Sequence, residues 1–236
     1  SDLAKEPEIV DLQNFLNAMG AKVSGAGTDE IVIEGVKSLG GVTYRPMKDR
    51  IEAGTFLIAA AICGGEVEVI GVKNQHIGLL LHKLRENGCK IHTKSDRIRI
   101  ESQGRLRCNR RIETMPFPGF PTDLQAQMTA LNCICEGGAI VIENLFETRF
   151  KYVPELQKMG ADIEVRGRTA FVRGVKSLHG ASVVAGDLRG GAALVLAALG
   201  ADGVSEVIDL SYVDRGYSDL QKKLKSLGAA VKRVRV

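Results

Sequence analysis

Apolar residues recur at helical spacing ahead of a glycine four times along the chain, and a short alternating segment follows each time. In the first copy Ile9, Leu12, Phe15, Leu16 and Met19 mark one helix face, with Pro7 suited to its first turn. The repeated phrase is Leu, three residues, Gly, a small residue, a variable residue, then Ile or Val. It is met at Leu16-Gly20-Val23, Leu84-Gly88-Ile91, Leu156-Gly160-Ile163 and Leu224-Gly228-Val231. The glycines are 68, 72 and 68 residues apart. This spacing predicts helices ended by a left-handed glycine and followed by strands, because glycine takes that conformation without a Cβ penalty. Strands are expected around Ile31–Ile33, Ile98–Ile100 and Phe171–Arg173, where apolar and polar positions alternate.

Each later copy carries an earlier half that opens on an aspartate and runs into a helix rich in small apolar residues. The openings are Asp49, Asp123 and Asp187; strands follow at Val67–Ile70, Ala139–Ile142 and Val204–Ile208. One complete unit therefore reads helix, strand, helix, strand, strand. Residues 1–47 hold only the second half of a unit, and 48–236 hold three units, at about 48–115, 116–180 and 181–236. The opening inside a unit predicts that further residues precede it. No unit can bury its apolar face alone, so three of them are expected to form one pseudo-threefold domain. Gly25-Ala26-Gly27 sits between two predicted strands and reads as a hairpin turn, not as a dinucleotide-binding loop.

Composition narrows the class. Hydrophobic residues make up 44% and charged residues 25%, as in an ordinary globular domain. No apolar run reaches membrane-spanning length, and the opening residues lack the pattern of a signal peptide. A net charge of +4 is spread without long like-charge blocks, and there is no Trp, which disfavours nucleic acid as a partner. The five cysteines, an odd number with no Cys-x-x-Cys, point to a reducing cytoplasm. The four histidines do not cluster with them, so no metal site is expected.

The least generic stretch is Pro116-Phe-Pro-Gly-Phe-Pro-Thr-Asp123-Leu-Gln125. Three prolines stiffen the approach to a helix, Thr122 and Gln125 have capping-box spacing, and Asp123 stands near the positive end of the helix dipole. A carboxylate held there suits a general base for a sugar hydroxyl; it equally suits plain capping, as do Asp49 and Asp187 at the same repeat position. Arg149, Arg215, Arg189 and Arg50 lie near helix starts. Several guanidinium groups on one rim would suit a doubly charged anion, while each alone fits a solvated or ion-paired surface residue. Leu145 and Phe146 could wall a ring or cap the core. Gly190 and Gly191 weaken a helix start, as glycines do where another group approaches closely.

These segments together resemble the UDP-N-acetylglucosamine 1-carboxyvinyltransferases, enolpyruvyl transferases of peptidoglycan precursor synthesis. The matching phrases are the run from Glu6 to Val36, DRIEAGTFLIAAAI, FPTDLQAQMTALN, FETRF with VPELQKMGADI, GDLRGGAALVLA and YVDRGY. The resemblance implies an α+β fold of two domains, each an alpha/beta prism of three repeats, with the active site between them. Residues 1–47 would end the first domain, whose remainder would be the missing partner, and 48–236 would form most of the second. The implied reaction moves enolpyruvyl from phosphoenolpyruvate to the 3′-hydroxyl of UDP-N-acetylglucosamine through a tetrahedral intermediate, with no cofactor. By this similarity Asp123 binds the hydroxyl and acts as base. Arg215 holds phosphoenolpyruvate with Arg149 nearby, and Leu145 and Phe146 contact the UDP-sugar. Asp187, Arg189, Asp49 and Arg50 shape the pocket.

Two features depart from that pattern. The family's cysteine loop and its Lys-Asn pair match nothing here, so none of the five cysteines inherits the catalytic role and the fragment alone is expected to be inactive. Gly190-Gly191 also replaces the family's usual Ala-Ser. Two other readings stay open: the related transferase acting on shikimate 3-phosphate, which generally has Asp-His-Arg in place of Asp187-Leu188-Arg189, and a non-catalytic module for RNA or another polyanion.

Overall fold

The computed structural model describes residues 4–234. The chain opens with helix α1 (Pro7–Ala18) and the strands β1 (Lys22–Ser24) and β2 (Val32–Glu34). The first unit comprises α2 (Arg50–Cys63), β3 (Gly65–Ile70), α3 (Gly78–Asn87), β4 (Lys90–Lys94) and β5 (Arg97–Ser102). The second comprises β6 (Arg111–Glu113), α4 (Gln125–Ile134), β7 (Gly138–Ile142), α5 (Val153–Lys158), β8 (Asp162–Arg166) and β9 (Thr169–Arg173). The third comprises β10 (Ser182–Val184), α6 (Leu188–Leu199), β11 (Glu206–Ile208), α7 (Ser211–Gly216) and α8 (Leu220–Ser226).

All four repeat glycines adopt the left-handed conformation expected of them, with φ of +99° at Gly20, +106° at Gly88, +89° at Gly160 and +95° at Gly228. The helices opening the three units, α2, α4 and α6, pack on one another at the centre. Their Ala and Gly content permits that approach, and most of their residues are buried. Sheets cover them from outside. In β5 the alternation is clean: Ile98 and Ile100 point into the core while Arg97 and Arg99 face solvent.

The sheets have the orders β3-β5-β4, β6-β7-β9-β8 and β10-β11. β6 pairs parallel with β7, and β10 with β11, so the helix between each pair is a crossover connection. Neither β6 nor β10 was expected, because three residues leave no readable alternation. The third unit also departs from expectation after Gly228: residues 229–234 form no strand. In the second unit β8 reaches β7 only through the intervening β9. Among the described residues nothing plays that part between β11 and 229–234.

The opening segment is built separately. Gly25 and Gly27 take positive φ in the connection between β1 and β2, as a hairpin requires. The Asn17 side chain bonds both backbone groups of Val23, and Phe15 stacks on Tyr44 at 5.2 Å. Neither of the two buried apolar clusters contains a residue from this segment. It leaves Leu12, Val32, Ile33, Val36, Leu39 and Val42 exposed. Its polar ties to the larger part include Glu8 with the Arg50 Nε, at 2.8 Å, and Glu6 with the Phe117 N–H, at 3.4 Å. No helix among the described residues is long and apolar enough to cross a membrane.

Candidate functional site

The proline-rich stretch folds as a fixed loop. Met115 N–H donates to Phe120 O at 3.0 Å, Gly119 N–H to Pro116 O at 2.7 Å, and the Phe120 ring is fully buried. The Phe117–Pro118 bond is cis. Residues 122–124 then make a 3-10 turn ahead of α4, and here the capping-box expectation fails: neither turn nor helix has a side-chain cap. The Thr122 hydroxyl donates instead to Glu143 Oε2 at 2.9 Å, and Gln125 Oε1 accepts from the Tyr152 hydroxyl at 3.0 Å. A buried carboxylate nearby competes successfully for the hydroxyl that would otherwise cap.

The Asp123 side chain caps neither the turn nor the helix. Its carboxylate lies between two guanidinium groups, with Oδ1 2.9 Å from Arg149 Nη2 and Oδ2 3.3 Å from Arg189 Nη2. The carboxylate side chain is 41% exposed, the arginines 18% and 14%. The acid thus faces outward from a more buried basic seat. Arg149 comes from a 3-10 turn after β7, spans to Thr122 O at 3.3 Å and stacks on Phe146 with 5.0 Å to the ring centre. Arg189 sits in the first turn of α6 over the Tyr217 ring at 5.5 Å. Burial opposes the Arg189 charge, but Tyr217 and Asp123 outweigh it and its pKa is raised. Arg149 Nε and Arg189 Nε and Nη1 are buried and make no hydrogen bond to the protein.

Asp187 and Asp49 are helix caps. Asp187 Oδ1 accepts from the N–H groups of Arg189 and Gly190 at 3.0 and 2.8 Å, which fixes the backbone that carries Arg189. Asp49 does the same for α2, accepting from Ile51 and Glu52. Arg50 is buried against Glu8 and under the Phe117 ring, 5.7 Å from its centre, so it ties the opening segment to the proline loop. Arg215 is exposed on α7 and stacks on Tyr212 at 4.8 Å, and it joins neither of the ion pairs at Asp123. Leu145 and Phe146 are exposed beside Arg149. Gly190 and Gly191 are explained by packing: a Cβ at 190 would stand 2.9 Å from the Tyr152 Cβ, and one at 191 would stand 2.6 Å from Val213 Cγ2. Neither of two cavities, of about 590 and 290 Å³, is lined by Asp123, Arg149 or Arg189; the smaller is walled in part by Phe117, Pro118, Gly119 and Pro121 of the proline loop.

Two groups of supporting residues carried no signal strong enough to be singled out. Glu143, fully buried at the end of β7, accepts from the hydroxyls of Thr114 and Thr122 and from the N–H groups of Leu145 and Phe146. It therefore locks the turn bearing Asp123 to the loop bearing Leu145 and Phe146. Thr55, Gln127 and Tyr217, one from each unit, meet in the interior. The Tyr217 hydroxyl lies 3.0 Å from Thr55 Oγ1, and Gln127 Nε2 donates to that hydroxyl at 3.1 Å and to Asp123 O at 2.9 Å. The only hint in the sequence is that Thr55 and Gln127 are polar residues in helices otherwise made for burial.

Comparison with known proteins places this arrangement in context. A family model described as EPSP synthase (3-phosphoshikimate 1-carboxyvinyltransferase) matches residues 1–224. A UDP-N-acetylglucosamine 1-carboxyvinyltransferase 2 of Caldanaerobacter subterraneus is 52% identical over 98% of this chain and 55% of its own length. A UDP-N-acetylglucosamine 1-carboxyvinyltransferase of Geotalea daltonii is 50% identical with the same coverage. The chain thus spans about half the length of the curated relatives it matches. Among solved structures, the enolpyruvyl transferase NikO from Streptomyces tendae aligns with a TM-score of 0.84 at 27% identity, over 97% of this chain and 55% of that one. An EPSP synthase from Acinetobacter baumannii aligns at 0.62 and 16% identity over 79% of this chain and 43% of that one, a likeness of fold.

Proposed function

We propose, from the premise that the chain belongs to the EPSP synthase (3-phosphoshikimate 1-carboxyvinyltransferase) family, that it supplies one wall of an enolpyruvyl transferase site acting on UDP-N-acetylglucosamine. The observation that carries this reading is the Asp123 carboxylate, held outward on a rigid turn between Arg149 and Arg189. The names of relatives near 50% identity favour the UDP-sugar as acceptor.

The proposed chemistry uses this geometry. A sugar 3′-hydroxyl placed against Asp123 donates its proton to the carboxylate as its oxygen bonds to C2 of phosphoenolpyruvate, while C3 takes a proton from a general acid in the part of the site that this chain does not carry, which takes it back in the elimination. Loss of a C3 proton and expulsion of phosphate then leave the enolpyruvyl ether. The charge of Arg149 and Arg189 opposes repulsion between the anionic substrates and Asp123. Leu145 and Phe146 offer apolar surface to the nucleotide-sugar. Arg215, exposed on α7, fits a role in anion capture. No metal or organic cofactor is required. The exposed apolar residues of the opening segment suit cover by the rest of a first domain, and the enzyme would work in the cytosol.

Thermal shift separates the acceptors. UDP-N-acetylglucosamine should raise the melting temperature of the 236-residue chain and shikimate 3-phosphate should not; selective stabilisation by the shikimate ester would overturn the acceptor assignment. Phosphate release from phosphoenolpyruvate should be undetectable with this chain alone. Robust turnover would overturn the idea that it forms only part of the site.

A further inference from the structure

We propose that Cys108 and Cys135 form a peroxide-responsive dithiol, in which Cys108 is the attacking sulfur and Cys135 the resolving one. This site lies at the opposite end of α4 from Asp123 and does not rest on the transferase reading. Residues 106–108 run beside 135–136: Cys108 N–H donates to Glu136 O at 2.8 Å, Glu136 N–H to Leu106 O at 2.7 Å, and Arg107 is the bridge partner of Glu136. Both thiols point at the last turn of α4, where Cys108 Sγ donates to Asn132 O at 3.3 Å and Cys135 Sγ to Leu131 O at 3.2 Å. The two sulfur atoms thus serve consecutive carbonyls of one helix turn from adjacent backbone segments.

Access and activation differ between the two. Cys108 is partly exposed, whereas Cys135 is buried. Among the five free thiols Cys108 alone has a lowered pKa. The Cys135 thiol beside it favours its thiolate, burial opposes this, and the Arg105 guanidinium and the Gly174 backbone add support. Arg105 is held in place by the carbonyls of Ile134, Cys135, Gly174 and Val175. Burial pushes Cys63 up and Cys89 up to about 11, and Cys133 and Cys135 are raised as well. Cys63 is therefore exposed without being activated.

The reaction balances with hydrogen peroxide as oxidant. The Cys108 thiolate attacks one peroxide oxygen, the O–O bond breaks, and the departing hydroxide takes up a proton as water. Cys135 then loses its proton and attacks the sulfenic sulfur, the S–O bond breaks, and a second water leaves. Two thiols are oxidised by two electrons, and one peroxide is reduced to two waters.

The test uses the 236-residue protein with one equivalent of hydrogen peroxide, followed by intact-mass and peptide-mapping spectrometry. The expected result is loss of two hydrogens, a cross-link between the peptides holding Cys108 and Cys135, and full reversal by dithiothreitol. Cys135→Ser should leave the Cys108 sulfenic acid trappable by dimedone, and Cys108→Ser should leave Cys135 unmodified. Cys135→Ala serves in place of the serine variant if that one does not fold. Oxidation confined to Cys63, or no dimedone adduct at Cys108 in a folded Cys135 variant, would overturn the proposal.

Discussion

Replacing Glu143 by alanine removes one acceptor from four donors at once. The Thr114 hydroxyl is fully buried, so it is stranded; the Thr122 hydroxyl is half-buried and loses its partner as well. The N–H groups of Leu145 and Phe146 border an exposed loop and can turn to water. At ~1–3 kcal/mol for each buried donor left unsatisfied, the two hydroxyls give a loss of about 2–6 kcal/mol. Glu143→Gln keeps the shape and one carbonyl oxygen, which still serves three of the donors, so it should cost only ~1 kcal/mol. Urea unfolding measures both, with the midpoint falling and the slope unchanged. Combining Thr114→Val with Glu143→Ala should recover part of the loss, because the stranded hydroxyl is then gone while the Asn144 N–H, which gives up Thr114 Oγ1 as its acceptor, borders solvent. A Glu143→Ala cost below ~1 kcal/mol, or equal costs for alanine and glutamine, would refute the network as the element that joins turn and loop.

Other consequences follow from the same packing. Gly191→Ala should destabilise by ~1–3 kcal/mol despite its better helix propensity, since the new methyl group meets Val213 and Ala185; Val213→Ala should relieve part of this, as read by thermal melts. Tyr217→Phe should cost ~1–2 kcal/mol in urea unfolding, because Thr55 and Gln127 lose a buried partner. Burial alone would raise the Glu155 pKa, but Lys158 and the Val184 N–H bring it below the usual carboxylate value. A depressed folded pKa gives stability that is complete above the unfolded value and is lost as pH falls through the folded one. Glu155→Gln should therefore flatten the melting-temperature decline between about pH 5 and pH 3. Arg189→Ala should weaken UDP-sugar binding about tenfold or more by calorimetry, the loss of one hydrogen bond to a charged group at ~1.5–3 kcal/mol.

The parts of the fold legible in the sequence are those set by local physics. Gly20, Gly88, Gly160 and Gly228 end helices because the left-handed conformation is nearly theirs alone, and their spacing exposed the repeat. The α2, α4 and α6 helices were legible as small-residue apolar runs. β6 and β10 were not, because their pairing is decided by partners a whole helix away. The site divides the same way. Asp123 stood out through the prolines before it, yet the capping expected of Thr122 is lost to Glu143, some 20 residues on, and the Asp123 carboxylate is held by the distant Arg149 and Arg189. Arg189 was placed by similarity near the pocket, but its direct ion pair with Asp123 joins residues whose separation no local pattern records. Arg50 looked like its repeat counterparts and instead secures the opening segment through Glu8.

The most direct measurement is the location of UDP-N-acetylglucosamine on this chain by amide chemical-shift mapping, alongside an Asp123→Asn variant. The account predicts shifts concentrated at Thr122–Leu124, Leu145–Arg149 and Leu188–Gly190, and their loss or marked weakening in the variant. Shifts confined to another face, or unchanged by the substitution, would contradict the assignment of Asp123 and its two arginines as the acceptor site.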